Sequence, residues 1–235
     1  SLGGDGSYDI PGGMIGYDDG EALYTAINGG EVVEVKISAG SFMEQTEVGN
    51  LIASFSSRGP NGSTGDVIKP DITAPGVRIL AATSDTIFQG VQGETNAYLS
   101  GTSMSSPHIA GMAALLKQEH PNWTPAQIKS ALMTTARQNL TKQEDEGVAA
   151  DPFDFGAGHA VPATARAPGL TYNATYDDYL GFLCGLGEDE TVLDESTLTC
   201  EQVAASISTD PSQLNYPSIA IGELDGTETI YRSVT

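Results

Sequence analysis

The residues with the clearest chemical potential lie in one short segment, SGTSMSSPHIAG, at positions 100–111. Ser103 follows a Gly-Thr pair and stands where a turn runs into a helix of small residues. The N-terminus of a helix offers unpaired N–H groups and the positive end of the helix dipole to an oxyanion. The segment therefore predicts that Ser103 is presented as a nucleophile, with its own N–H group beside the developing negative charge.

A plainer interpretation of the same segment is an ordinary capping loop. A lone Gly-x-Ser has little specificity, and Ser103, Ser105 or Ser106 could serve as the N-cap of the helix. The apolar spacing at 109–117 predicts a closely packed helix in either case. Pro107 is expected in its first turn, where the missing N–H group is not needed.

A serine hydroxyl needs a base to take its proton and a third group to orient that base. The chain has three histidines, at positions 108, 120 and 159. His108 lies five residues after Ser103 on the same predicted helix, which rotates it about 140° away from the serine. We therefore do not expect His108 to take the proton of the Ser103 hydroxyl. His120 is expected to face solvent or to cap the C-terminus of a helix.

The segments around the serine predict alternating strands and helices. Short apolar runs at 52–55, 72–74 and 79–82 are bounded by Gly and Pro turns, as strands often are. Thr124-Pro125-Ala126-Gln127 predicts a helix start with a capping box and Pro at the first position. This alternation favours an α/β layer architecture with a largely parallel sheet.

These segments resemble, in the same order, those of the subtilases, which are subtilisin-like serine peptidases. The serine segment at 100–111 is similar to their active-site serine segment. The flanking segments are similar to those of the plant cucumisin-like branch: IASFSSRGP (52–60), KPDITAPG (69–76), ILAAT (79–83), HPNWTPAQIKSALMTTA (120–136) and DPFDFGAGHAVPATARAPGLTY (151–172). The resemblance implies the C-terminal part of a subtilisin-like three-layer fold. It also implies peptide-bond hydrolysis through an acyl-enzyme on Ser103.

The resemblance identifies two triad members that are not in this chain. Subtilases carry their Asp, His and Ser motifs in that order, and the Asp-Thr-Gly and His-Gly-Thr-His motifs are absent here. The family positions that match His108 and His159 are not catalytic, so the triad His and Asp are expected upstream. The Asn that completes the family's oxyanion hole is expected there too, because Asn50 and Asn96 are more simply loop residues. The isolated chain is therefore expected to be inactive.

The resemblance divides the chain into four parts. Residues 1–47 resemble the end of a protease-associated domain, with a final strand at 32–37, although an unrelated small α/β segment would also fit. Residues 48–172 resemble the C-terminal part of the peptidase domain. Residues 173–209 are a connecting segment. Residues 210–235 resemble the start of a fibronectin-III-like β-domain, with strands in LNYPSIAI and TETIYRSVT, and should be loosely held unless they dock.

The composition of the chain limits the classes of molecule that it could bind. The chain has 31 acidic and 10 basic residues and a formal charge of −21, which disfavours a nucleic acid because no basic patch could neutralise phosphates. No EF-hand-like ligand spacing is present, and we expect neither a metal nor a cofactor. No apolar run is long enough to span a membrane. The expected partners are a protein or peptide substrate and the remainder of the same polypeptide.

The two cysteines, Cys184 and Cys200, match a cysteine pair of the cucumisin-like branch. The resemblance implies a disulfide worth about 3 kcal/mol by loop-closure entropy, and two free buried thiols are the alternative. A disulfide suits an exported protein, and we expect extracellular localisation. Four Asn-x-Ser/Thr sequons are compatible with glycosylation, at Asn61, Asn122, Asn139 and Asn173.

Two further function classes stay open on the sequence. The first is a non-catalytic subtilase-like protein that retains the serine motif only as scaffold. The second is a protein-binding module in which the flanking domains carry the function. Asp and His motifs upstream would dismiss the first. Labelling of the intact protein by a fluorophosphonate, lost in Ser103→Ala, would dismiss the second.

Overall fold

A computed structural model of the chain describes residues 17–34, 49–83, 95–143, 148–187 and 198–235. The chain divides into two compact units. Unit 1 comprises Ser1–Gly49 and Leu80–Tyr98, and unit 2 comprises Asn50–Ile79 and Leu99–Thr235. None of the described helices is both long and apolar enough to cross a membrane.

The elements of unit 1 are few in the described ranges. Helix α1 comprises Tyr17–Asn28. The strand expected at 32–37 is not formed at residues 32–34, which are irregular, and residues 35–37 lie outside the described ranges. Strands β2 (Ile79–Ala82) and β3 (Asn96–Leu99) pair with each other.

Unit 2 contains the remaining elements and the core. Its strands are β1 (Leu51–Ile52) and β4 (Thr141–Lys142). Its helices are α2 (Thr102–Glu119), α3 (Pro125–Thr134), α4 (Pro152–Phe155), α5 (Pro162–Ala165), α6 (Tyr176–Gly185) and α7 (Cys200–Ala204), followed by a 3₁₀ turn at Pro211–Gln213.

Strands β1 and β4 pair in parallel, with Leu51 opposite Thr141 and Ile52 opposite Lys142. Parallel strands need a long crossover connection, and here the connection includes helices α2 and α3. Helices joined to a parallel strand pair fit the α/β class that the sequence predicted. The described sheets have two strands each.

Helix α2 begins earlier than the sequence predicted. It starts at Thr102, so Pro107 lies inside the helix and not in its first turn. Because proline has no N–H group, the carbonyl of Ser103 lacks the hydrogen bond from four residues ahead. Leu116 is the buried residue of α2. It packs against Leu132 of α3 and Ala165 of α5 in one apolar cluster.

Helix α3 confirms its predicted start. The Thr124 hydroxyl accepts from the Gln127 N–H at 3.1 Å, and the Gln127 side chain accepts from the Thr124 N–H at 3.0 Å. Pro125 occupies the first helical position. Ile128, at the predicted helical spacing, is buried.

A ladder of backbone hydrogen bonds connects three segments of unit 2. Thr73 pairs in parallel with His159, and His159 pairs antiparallel with Arg137. The Thr73 N–H donates to Gly158 and the Thr73 carbonyl accepts from Ala160, each at 2.9 Å. Arg137 and His159 exchange both bonds, at 2.9 and 2.8 Å. The segment that holds Thr73 is therefore fixed at one place in the unit.

Two glycines make this ladder possible. A Cβ atom at Gly156 would lie 2.2 Å from the carbonyl oxygen of Pro70, and one at Gly158 would lie 2.4 Å from that of Arg137. Both glycines also have positive φ, 67° and 124°. Any side chain would therefore meet backbone atoms on the neighbouring segment, and backbone cannot move aside cheaply.

The two strands predicted near the C-terminus are wrong. The segments lie side by side, but side-chain amides connect them in place of a backbone ladder. Gln213 donates to the carbonyl of Thr229 at 2.8 Å and accepts from the Tyr231 N–H at 3.0 Å. Asn215 exchanges two bonds with the backbone of Ser233, at 3.0 and 2.9 Å. The strands were implied by the resemblance to a fibronectin-III-like domain, and a resemblance in sequence does not distinguish these two modes of pairing.

The C-terminal segment docks on unit 2. Tyr216 is buried in a cluster with Val67 and Met133, and its hydroxyl donates to Asp71. The backbones of Thr171 and Thr235 exchange hydrogen bonds of 2.8 and 2.9 Å. The chain end is therefore held by both core packing and hydrogen bonds.

The Asp71 carboxylate has three side-chain partners. It accepts from Lys69 at 2.8 and 2.9 Å, from Lys129 at 2.8 Å and from Tyr216. Burial opposes ionisation of Asp71, but the bonds and charge of Lys129, with the bonds from Lys69 and Tyr216, outweigh it and hold the pKa of Asp71 below its usual value. Burial and the charge of Asp71 raise the pKa of Tyr216.

Helices α6 and α7 are joined by the disulfide that the resemblance implied. Cys184 and Cys200 are bonded, with their Cα atoms 5.5 Å apart. Leu180 and Val203, both buried, pack beside the disulfide as a small cluster. The alternative of two free thiols is wrong.

We expect Gly156→Ala to destabilise the protein by about 2 kcal/mol more than Gly169→Ala. Both glycines have positive φ, so both variants carry a backbone cost of roughly 1–2 kcal/mol. At Gly169 nothing lies within 4 Å of the new Cβ, whereas at Gly156 it meets backbone. Thermal unfolding of the full-length protein measures the difference, and equal losses would contradict the steric argument.

We expect Asp71 to contribute to acid lability. Because its folded pKa is depressed, its stabilisation is complete above the unfolded pKa of about 3.9 and is lost as pH falls through the lower folded pKa. The free energy of unfolding of Asp71→Asn should therefore fall less steeply with acid than that of the wild type. Tyr216→Phe, which removes one hydrogen bond, should lie between the two. If the free energy of unfolding fell with pH in parallel for all three proteins, Asp71 would not be a source of the acid lability.

Candidate active site

Ser103 is the second residue of helix α2, and its side chain is exposed. Gly101 occupies the N-cap position and offers no side-chain acceptor to the first turn. The alternative interpretation, in which Ser103, Ser105 or Ser106 caps the helix, is therefore wrong. The serine is presented at the helix N-terminus, as the sequence predicted.

The N-terminus of α2 differs from those of its neighbours. Helices α3, α6 and α7 carry complete capping boxes at Thr124, Thr175 and Thr199. In α2 the Met104 N–H donates to the carbonyl of Gly101 at 3.0 Å. The Ser103 N–H, at the second helical position, has no acceptor four residues back. It is therefore available to an anion at the positive end of the helix.

The ring of His108 is bound to its own helix. Nδ1 donates to the carbonyl of Met104 at 2.8 Å, four residues earlier. This contact agrees with the non-catalytic role that the resemblance implied for His108.

The other two histidines also contact backbone carbonyls. His120 is the C-cap of α2, as predicted. Its Nε2 donates to Arg166 at 2.9 Å, and its ring stacks on Trp123 with centroids 3.7 Å apart. His159 lies in the ladder described above, and its Nδ1 donates to the carbonyl of Ala160 at 2.9 Å.

The two asparagines considered as oxyanion donors have other partners. Asn50 lies in a turn with φ 67°, and its side chain accepts from the guanidinium of Arg137. Asn96 is the first residue of β3, so its prediction as a loop residue is wrong. Its amide donates to the hydroxyl of Thr95 at 3.3 Å.

A turn at residues 74–78 lies against the start of α2, and sequence reasoning gave it no role. The Gly101 N–H donates to the carbonyl of Gly76 at 2.8 Å, and the Ser105 hydroxyl donates to the carbonyl of Ala74 at 2.9 Å. The Arg78 N–H donates to the hydroxyl of Ser100, also at 2.8 Å. The Pro-Gly pair at 75–76 indicated a turn but not what it contacts.

A cavity of unit 2 is separate from Ser103. It has a volume of about 570 Å³, lies between α2 and α3, and is mostly apolar. Ile109, Ile128 and Leu132 line it, with Asp71 and Lys129 also contributing, and Ser103 does not. Within the described ranges, no group of three or more His, Cys, Asp or Glu side chains is arranged to hold a metal ion.

Comparison with known proteins gives one family. The model of the subtilase family, peptidase S8, matches residues 16–158. Subtilisin-like protease SBT5.4 of Arabidopsis thaliana is 40% identical over 238 residues, which cover 96% of this chain and 30% of that protein. Subtilisin-like protease SBT2.5 of the same plant is 44% identical over 206 residues, covering 78% and 25%. The chain thus spans between a quarter and a third of these relatives.

One solved structure is also similar in sequence. The crystal structure of fervidolysin from Fervidobacterium pennivorans, a keratinolytic enzyme related to subtilisin, is 33% identical and covers 39% of this chain and 14% of that chain. The TM-score is 0.30, which is too low to say anything about the fold.

Proposed function

The chain belongs to the subtilase family, and on that premise we propose that it is the part of a serine endopeptidase that carries the nucleophile, Ser103. The observation that supports the proposal is the exposed serine at the uncapped N-terminus of α2. A hydroxyl and a free N–H group lie together there, and acyl transfer needs both.

In the proposed reaction the Ser103 hydroxyl attacks the carbonyl carbon of a peptide bond. A histidine base upstream of this chain takes the hydroxyl proton, and an upstream aspartate orients that histidine. The carbonyl oxygen becomes an oxyanion, to which the Ser103 N–H donates. The histidine then protonates the leaving amine, which leaves an acyl-enzyme, and a water molecule hydrolyses this ester.

The proposal divides the catalytic groups between this chain and the rest of the polypeptide. A second oxyanion donor, an asparagine, is assigned upstream, and losing one such donor alone costs roughly 100–1000-fold in turnover. Losing the base costs more. We infer that residues 1–235 alone are inactive and that the enzyme needs the upstream part.

The proposed enzyme is secreted and built from several domains. The Cys184–Cys200 disulfide supports export, since disulfides persist in oxidising compartments. We assign residues 1–47 to the end of a protease-associated domain and residues 48–172 to the peptidase domain, with a connecting segment at 173–209. We assign residues 210–235 to the start of a fibronectin-III-like domain, one that begins with docked, irregular chain. The substrate class is protein or peptide.

We expect a fluorophosphonate to label the full-length protein at Ser103, because an activated serine reacts with it and an ordinary serine does not. Labelling should disappear in Ser103→Ala and persist in Ser106→Ala, a matched change three residues along the same helix. Mass spectrometry of the labelled peptide identifies the modified residue. An unlabelled full-length protein that is folded would contradict the proposed function.

His108→Ala should leave the serine reactive. Its ring is committed to the carbonyl of Met104, so we expect the labelling rate per folded molecule to fall by less than about tenfold. Loss of a true catalytic base would lower the rate by orders of magnitude. A loss of that size in His108→Ala, with the thermal transition retained, would show that His108 takes the proton.

A further inference from the structure

We propose that the turn at residues 74–78 positions the nucleophile and that Ser105 is a positioning residue for Ser103. The inference rests on the proposed function, because it assigns a role in the same site. It concerns how the serine is held, which the family assignment does not address.

The turn grips α2 on both sides of the nucleophile. Two residues before Ser103, the Gly101 N–H donates to Gly76 at 2.8 Å. Two residues after it, the Ser105 hydroxyl donates to Ala74 at 2.9 Å. Both acceptors are backbone carbonyls of one short turn. The helix N-terminus is therefore tied at two points, with the reactive serine between them.

The contact leaves no free space. A Cβ atom at Gly76 would lie 2.2 Å from the Ser105 hydroxyl oxygen and 2.8 Å from the carbonyl oxygen of Gly101. Gly76 has no positive φ, so glycine is required at this position by space and not by backbone conformation. With any larger residue at position 76, the turn would have to lie further from Ser105 and from the start of α2.

The turn is itself anchored. Ala74 directly follows Thr73, which is held in the ladder by bonds to Gly158 and Ala160. Pro75, with its fixed φ, lies between the two acceptor carbonyls. Because Thr73 is fixed in the ladder, the carbonyl of the next residue, Ala74, is also held in place. The hydrogen bond from the Ser105 hydroxyl to that carbonyl then fixes the start of α2.

Ser105 contributes its hydroxyl to another segment and not to its own helix. Serines inside helices often bond the carbonyl four residues earlier, which bends the helix. Alanine has the higher helix propensity, so the hydroxyl is not needed to form α2. Its bond to Ala74 connects the helix N-terminus to a neighbouring segment. A capping box makes no such connection, because both of its hydrogen bonds join groups at the start of the same helix.

The test compares Ser105→Ala with Ser106→Ala in the full-length protein. Both changes remove a hydroxyl from adjacent positions of α2, but only Ser105 donates to the turn. We expect Ser105→Ala to lower kcat, corrected by active-site titration, about tenfold, with KM changed less than twofold, because small misplacements of a reacting group cost rate and not binding. The rate of fluorophosphonate labelling should fall in parallel. Ser106→Ala should keep both.

Gly76→Ala gives a second measurement on the other side of the contact. It should lower the labelling rate further than Ser105→Ala, since the turn must move away from α2. If Gly76→Ala does not fold, the positioning role of Ser105 is tested by the Ser105→Ala result alone.

An unchanged labelling rate and an unchanged kcat in Ser105→Ala would overturn the inference. If the thermal midpoint falls while both rates stay unchanged, the role of the hydroxyl is purely structural. A wild-type protein that is not labelled at all would instead overturn the proposed function, so the two failures are distinguishable.

Discussion

The close approach of two backbone segments, 70–73 and 156–158, is the constraint on which the rest of unit 2 depends. Gly156 permits it, because a Cβ atom there would lie 2.2 Å from the carbonyl oxygen of Pro70, and Gly158 permits the approach of Arg137 to the same segment, because a Cβ atom there would lie 2.4 Å from the Arg137 carbonyl oxygen. The approach places Thr73 in its ladder with His159. The same segment then carries the Asp71 carboxylate to Lys129 and Tyr216. Core packing, the ion pairs of Asp71 and the position of the turn beside Ser103 therefore all depend on this approach of the two segments.

The helices of unit 2 differ in how their N-termini are stabilised. A threonine cap contributes about 1 kcal/mol, and α3, α6 and α7 each have one with a complete box. Helix α2, although the longest, forgoes that contribution and leaves an N–H group unused beside Ser103. The bonds to the neighbouring turn stabilise its start from outside. A helix end with an unused N–H group is thus compatible with a fixed position.

Local signals in the sequence predicted what local interactions determine. The capping box at Thr124, the presentation of Ser103 and the C-cap at His120 follow from residue types within one or two turns of chain. The disulfide followed from the family resemblance. The start of α2 was missed because Pro107 is a common first-turn residue, and here the helix runs through it. The irregular chain at the C-terminus and the contact of Ser105 were missed for another reason. They depend on side-chain to backbone bonds between segments up to 31 residues apart, which no periodicity reports.

The disulfide between α6 and α7 has a consequence for cleavage of the chain between its two cysteines. Cys184 and Cys200 enclose a stretch of fifteen residues, 185–199, that is rich in acidic side chains. A cut anywhere in that stretch opens the peptide backbone but releases no fragment, because the sulfur bridge still joins the two ends. Leu180 and Val203 stay neighbours across it. Cleavage at this place would therefore produce a nicked molecule of unchanged mass apart from one added water, whose two pieces separate only after reduction.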